Sequence, residues 1–196
     1  MSKNKKVVLF IVEGITDEDA LKPIMKKILK KNDNNNIEFS VLHKDITSDD
    51  KSQTDNIKRK LVEEIKKHLN KYKLNKKDIR EVVHLIDTDG AFIPSENVQG
   101  KKQGEIEYTE EEIIAKNPLD IKQRNKRKTE IVKLLYKTDQ IYINIPYKIY
   151  YFSRNREHAL NNKKESISDE EKSILADEFS DKYENNIEEF YEFMCF

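Results

Sequence analysis

At 196 residues the chain has room for one α/β domain with a full core, while two complete domains would be crowded. Apolar residues make up 36% and charged residues 38%, yet the apolar ones come in compact runs such as residues 7–12, which excludes a disordered chain. The 37 basic and 37 acidic residues cancel, so any hold on nucleic acid must come from a local basic patch or a metal, not from bulk charge.

In chain order, residues 7–12 form a continuous β-branched and aromatic run, the pattern of a strand buried on both faces in a parallel sheet. It stops at Glu13-Gly14. Thr16 is placed to cap a helix with Asp17, Glu18 and Asp19 in its first turn and an apolar stripe of Leu21, Ile24, Met25, Ile28 and Leu29. After an Asn-rich loop, a second strand is expected from residue 37 to about residue 46, then a polar loop to residue 55. Ile57, Leu61, Ile65 and Leu69 recur at four-residue spacing and predict a second amphipathic helix. Residues 82–86 read as a third buried strand, ending in Asp87-Thr88-Asp89-Gly90. This β-α-β-α-β order predicts right-handed crossovers and a mainly parallel sheet with helices on both faces.

Residues 91–117 read as an insertion. Asn117-Pro118 is a helix start; the helix carries Leu119, Ile131, Leu134 and Leu135 on one side and Lys122, Arg124, Lys126, Arg127 and Lys128 in its middle. Another strand, residues 147–152, runs into Ser153-Arg154-Asn155-Arg156-Glu157-His158. Ser168 to Glu171 form a capping box opening a long helix with Leu175, Phe179, Tyr183, Ile187 and Phe190 on one face. The expected division is an α/β domain over residues 1–160 and a C-terminal helical extension over 161–196.

Ligands bind open parallel sheets beyond the carboxyl ends of the strands. Glu13 ends the first strand, and Asp87 and Asp89 end the third. An isolated Asp-x-Asp-Gly is often only a turn. Acids gathered at adjacent strand ends, however, repel one another unless a cation lies between them. Hard oxygen ligands, with a single cysteine (Cys195) and few histidines, favour Mg²⁺ or Mn²⁺ over zinc.

Phe10-Ile11-Val12-Glu13-Gly14-Ile15-Thr16-Asp17 and Leu85-Ile86-Asp87-Thr88-Asp89-Gly90 resemble the two motifs of the Toprim domain. That domain is shared by topoisomerases, bacterial primases, RNA-processing ribonucleases, recombination-repair proteins and the overcoming-lysogenization-defect nucleases. The resemblance covers residues 6 to 90 and, more faintly, 145 to 160. It implies a Rossmann-like Toprim fold, with Glu13 as general acid or base and Asp87 and Asp89 holding Mg²⁺ or Mn²⁺; Glu13 is equally open as a ligand. Similarity to the last branch adds Asp17 to the catalytic and metal-binding set. It also suggests Glu157, with Ser153 and Asn155, near a second metal, although Ser153 and Asn155 fit helix capping equally well. Two metals would support in-line phosphodiester hydrolysis.

The chain departs from the larger members: it carries no Gly-x-x-x-x-Gly-Lys-Ser/Thr loop and no breakage domain. The resemblance then implies a stand-alone Toprim nuclease of DNA or RNA, in phage defence or RNA processing. Its partners would be nucleic acid and a separate ATPase or further copies of itself. The alternative is a non-catalytic Toprim module binding nucleic acid or a protein; a small-molecule phosphohydrolase ranks third. Lys122, Arg124, Lys126, Arg127 and Lys128 are the candidate nucleic-acid patch, or else a solvated helix face. Tyr142, Tyr147, Tyr150 and Tyr151 are available for base stacking or for packing, and His43 and Lys44 for bordering the site. With no membrane-length apolar run and no leader-like segment, the cytoplasm is the expected location.

Overall fold

Six consecutive core residues, Val7 to Val12, set the centre of the sheet. Alternate side chains of this strand serve two helical layers, because successive residues of a strand point to opposite faces. Val7, Leu9 and Ile11 pack with one set of helices, and Val8, Phe10 and Val12 pack with another. The computed structural model describes residues 6–31, 37–109, 111–152 and 168–189. Within them the main elements are β1 (Lys6–Val12), α1 (Ile15–Lys31), β2 (Ile37–His43), α2 (Ile57–Tyr72) and β3 (Ile79–Asp87). They continue with β4 (Val98–Gly100), β5 (Glu107–Tyr108), β6 (Ile113–Ala115), α3 (Pro118–Tyr136), β7 (Gln140–Ile141), β8 (Ile145–Phe152) and α4 (Asp169–Glu184).

The central sheet has the order β2-β1-β3-β8-β7. Its first four strands run parallel, and the two-residue β7 pairs antiparallel to β8. α2 (Ile57, Leu61, Ile65, Leu69) and α3 (Ile131, Leu135) cover one face, while α1 (Ala20, Leu21, Ile24, Ile28) and α4 (Ala176, Phe179, Tyr183) cover the other. The protein is therefore a mixed α/β fold with a mostly parallel sheet between two helical layers, as the strand–helix alternation predicts. Among the described residues no helix is long and apolar enough to cross a membrane.

Strand order reverses at β1, since β2 lies on one side of it and β3 on the other. The connections leaving β1 and β3 therefore part at the carboxyl ends, the position where open α/β sheets form their ligand crevice. Glu13 and the 87–90 segment stand at that position.

Several expectations need correction. β2 ends at His43, short of residue 46, and β3 begins at Ile79, ahead of residue 82. The 91–117 segment folds into a three-stranded sheet, β4-β6-β5, whose Val98, Ile113 and Ala115 pack with Ile121 of α3. Leu119 is 70% exposed, because the buried stripe of α3 starts at Ile121. The C-terminal helix begins with the expected capping box of Ser168 and Glu171. Phe179 and Tyr183 of this helix pack into the core cluster that holds Leu21 and Ile24 of α1. Residues 153–158, Phe190 and the final Phe193, Met194, Cys195 and Phe196 lie outside the described residues.

Candidate active site between the first and third strands

The turn after β3 is built from two consecutive left-handed residues, Asp89 at φ 48° and Gly90 at φ 68°. Aspartate is among the few side chains that tolerate this region, and glycine adopts it freely. The turn closes through Ala91 N–H donating to the Thr88 carbonyl at 2.8 Å. Helix α3 then takes up the next carbonyls one by one. Arg124 Nη2 donates to Asp89 O at 2.8 Å, Asn125 Nδ2 to Gly90 O at 3.3 Å, and Thr129 Oγ1 to Ala91 O at 2.8 Å. Arg124 Nη1 also reaches the Tyr108 hydroxyl at 3.1 Å, tying the small sheet to the same turn.

Glu13 leaves β1 on the α2/α3 side, and its side chain is only 12% exposed. Thr47, fully buried in the loop after β2, donates to Glu13 Oε1 at 3.1 Å. Burial pushes the Glu13 carboxyl up from 4.5 to about 8; Lys128 pulls it down, Asp45 and Asp89 raise it further, and the Thr47 bond lowers it.

Lys128 is the fully buried cation of this site. Its Nζ donates to Asp89 Oδ2 at 2.5 Å and to Ser48 Oγ at 2.8 Å, and lies 3.8 Å from Glu13 Oε1. A buried ammonium is tolerated only when paired in this way. The cation that neighbouring acids require is thus supplied by the chain itself.

The other expected residues are placed as follows. Asp17 accepts a hydrogen bond from Gly14 N–H at 2.9 Å and so holds the loop that follows Glu13. Asp87 is the last residue of β3, and alternation puts it on the side of Val83 and Leu85, the α1/α4 face. Glu13 and Asp89 meet through Lys128 on the opposite face. Among the described residues no three His, Cys, Asp or Glu side chains converge as a metal-binding group. The donors are nevertheless the hard oxygens that Mg²⁺ or Mn²⁺ takes, and the place between Glu13 and Asp89 is held by an ammonium group. Glu157, Ser153, Asn155 and His158 lie outside the described residues.

The basic segment of α3 is not one exposed surface. Lys126 is exposed and Lys122 half-buried. Arg124 clamps the turn, Arg127 Nη2 pairs with Asp50 Oδ1 at 2.8 Å, and Lys128 is internal. His43 Nε2 contacts Glu18 Oε2 at 2.5 Å at the end of β2. Tyr147 is buried against His84, and Tyr142 lies beneath the ammonium groups of Lys66 and Lys76. Tyr150 and Tyr151 are exposed, and Tyr151 stands 6.3 Å from the ring of Phe92, two residues past the turn and also exposed.

Sequence reasoning missed the roles of Thr47, Ser48 and Phe92, which carry no periodic signal. Lys128 did carry one. Ile121, Asn125, Lys128, Val132 and Leu135 are the buried residues at helical spacing, so Lys128 falls on the inward stripe of α3. Compared with known proteins, the chain matches no family model, no curated protein and no solved structure.

Proposed function

We propose that the chain is a Mg²⁺- or Mn²⁺-dependent endonuclease of Toprim type, hydrolysing phosphodiester bonds of DNA or RNA. The observation that carries this reading is the meeting of buried Glu13 with the Asp89 turn at the position where the strand order reverses. Acids are rarely gathered at such a place for stability alone, and a carboxyl shifted to about 8 by its surroundings marks a candidate site. Asp89 and Glu13 would hold the ion on the α2/α3 side, and Asp87 would reach it across the end of β3 from the opposite face. The ion would supply Lewis-acid stabilisation of charge on the phosphoryl oxygens. Glu13, able to exchange a proton near neutral pH, is suited to accept the proton of the attacking water or to protonate the leaving oxygen. Asp17 keeps the Glu13-Gly14 loop in place from the start of α1. The exposed pair of Phe92 and Tyr151 offers stacking surface for an unpaired base beside the turn.

One observation favours a second reading. Lys128 already pairs with Asp89 and lies 3.8 Å from Glu13, so the acids are compatible with a metal-free module that binds nucleic acid or a partner protein. Incubating the intact chain with labelled single- and double-stranded DNA and RNA in Mn²⁺ separates the two. The nuclease reading expects cleavage that chelator abolishes and that Glu13→Gln and Asp87→Asn both lose. No turnover on any substrate, with binding intact in Glu13→Gln, would establish the module instead.

A further inference from the structure

We infer that Lys128 is a built-in counter-cation of the acid site, and that a divalent ion enters beside Glu13 and Asp89 only by displacing its ammonium group. The inference rests on the reading that this site takes a divalent ion, and it adds how that occupancy is controlled. The Lys128 Nζ lies among three oxygens from separate segments: Glu13 Oε1 after β1, Ser48 Oγ in the loop after β2, and Asp89 Oδ2 after β3. These are hard donors of the type Mg²⁺ and Mn²⁺ select. An ion seated at about 2.1 Å from the same oxygens would stand almost on top of the ammonium, so the two cations exclude each other.

The lysine is not a surface side chain that happens to reach inward. It is fully buried and is delivered by the face of α3 whose Arg124, Asn125 and Thr129 hold the three carbonyls of the turn. Lysine and turn are therefore positioned as one unit. Displacement has a path, because Asp89 is 30% exposed and the lysine stem has four rotatable carbons. It also has a cost, the loss of a buried ion pair, and that cost weakens the apparent affinity for the metal.

The test is a Mn²⁺ titration of the intact chain, with free Mn²⁺ read by electron paramagnetic resonance, in wild type and Lys128→Met. The variant is expected to bind Mn²⁺ about tenfold more tightly or better, as removal of a competing state requires. Equal affinity, or no binding in either protein, would overturn the inference. A second measurement needs no variant: acetylation of Lys128 by acetic anhydride, read by mass spectrometry. Lys128 should be protected in chelator and modified in saturating Mn²⁺; protection unchanged by Mn²⁺ would equally overturn it. Neither readout depends on cleavage. Tighter Mn²⁺ binding in the variant without cleavage of any polynucleotide removes the nuclease reading alone, whereas Mn²⁺-dependent cleavage with equal affinities removes the displacement alone.

Discussion

The ammonium of Lys128 lies 2.5 Å from Asp89 Oδ2, and of the two residues only the lysine is fully buried. Removing either partner therefore has unequal consequences. Asp89→Asn keeps a side chain that tolerates the left-handed backbone but leaves the internal ammonium without its closest counter-charge, at a cost on the order of 3 kcal/mol. Lys128→Met leaves Asp89, which is partly solvated, and Glu13, which can take up a proton. Urea denaturation near pH 7 in chelator should find Asp89→Asn the less stable variant. The reverse order would mean that the lysine is not confined by the fold.

The pH dependence of stability follows from Glu13. Its folded pKa is raised from 4.5 to about 8, so between those values the folded chain holds a proton that the unfolded chain has released. Stability from this group is accordingly lost as pH rises from 4.5 to about 8. Glu13→Gln keeps an acceptor for Thr47 and removes the loss. In metal-free buffer, the stability of Glu13→Gln relative to wild type should grow between about pH 5 and pH 8, by on the order of 3 kcal/mol. A difference that does not change with pH would show that the carboxyl titrates normally.

Gly90 is required by its backbone and by its neighbours. At φ 68° a side chain is strained, and a Cβ would stand 3.1 Å from Ile113 Cδ1 and 3.2 Å from Ile93 Cδ1. Gly90→Ala should cost about 1–3 kcal/mol and lower the melting temperature by several degrees. A neutral substitution would mean that the turn and the small sheet move apart freely.

The polar pair in the core gives a separable prediction. Fully buried His84 shares a 2.8 Å hydrogen bond with the Tyr147 hydroxyl. Burial, helped by the Lys128 charge, pushes its imidazole down to about 3, so it stays neutral in the folded chain. His84→Leu or Tyr147→Phe alone leaves one polar group without its partner, at a cost of about 1–3 kcal/mol each. The double variant should lose at least about 1 kcal/mol less than the sum, as measured in a double-mutant cycle. Strict additivity would show that the bond contributes nothing.

Much of this architecture was legible because the signals were long and periodic. The run from Val7 to Val12 and the spacing of Ile57, Leu61, Ile65 and Leu69 each report burial directly, and the order of strands and helices then implies a parallel sheet. The position of Glu13 and Asp89 at strand ends followed from the same runs. The small sheet was not legible, because strands of two or three residues carry too little alternation to read. The amphipathic stripe of the C-terminal helix showed that it buries a face, and only the fold showed that α1 receives it. Lys128 sits in a basic cluster that reads as a nucleic-acid patch or else a solvated helix face, although its spacing from Ile121 and Val132 places it inward. Charge composition outweighed periodicity in that reading, and the packing reverses the order.

Anomalous diffraction from crystals of the intact chain in saturating MnCl₂ decides whether the acids after β1 and β3 form a divalent-metal site. A Mn²⁺ peak is expected within coordination distance of the Asp89 and Glu13 carboxylates, at the end of β3 that also carries Asp87, with the Lys128 ammonium moved off Asp89. Crystals with no peak there, and with Lys128 still bonded to Asp89, would contradict such a site.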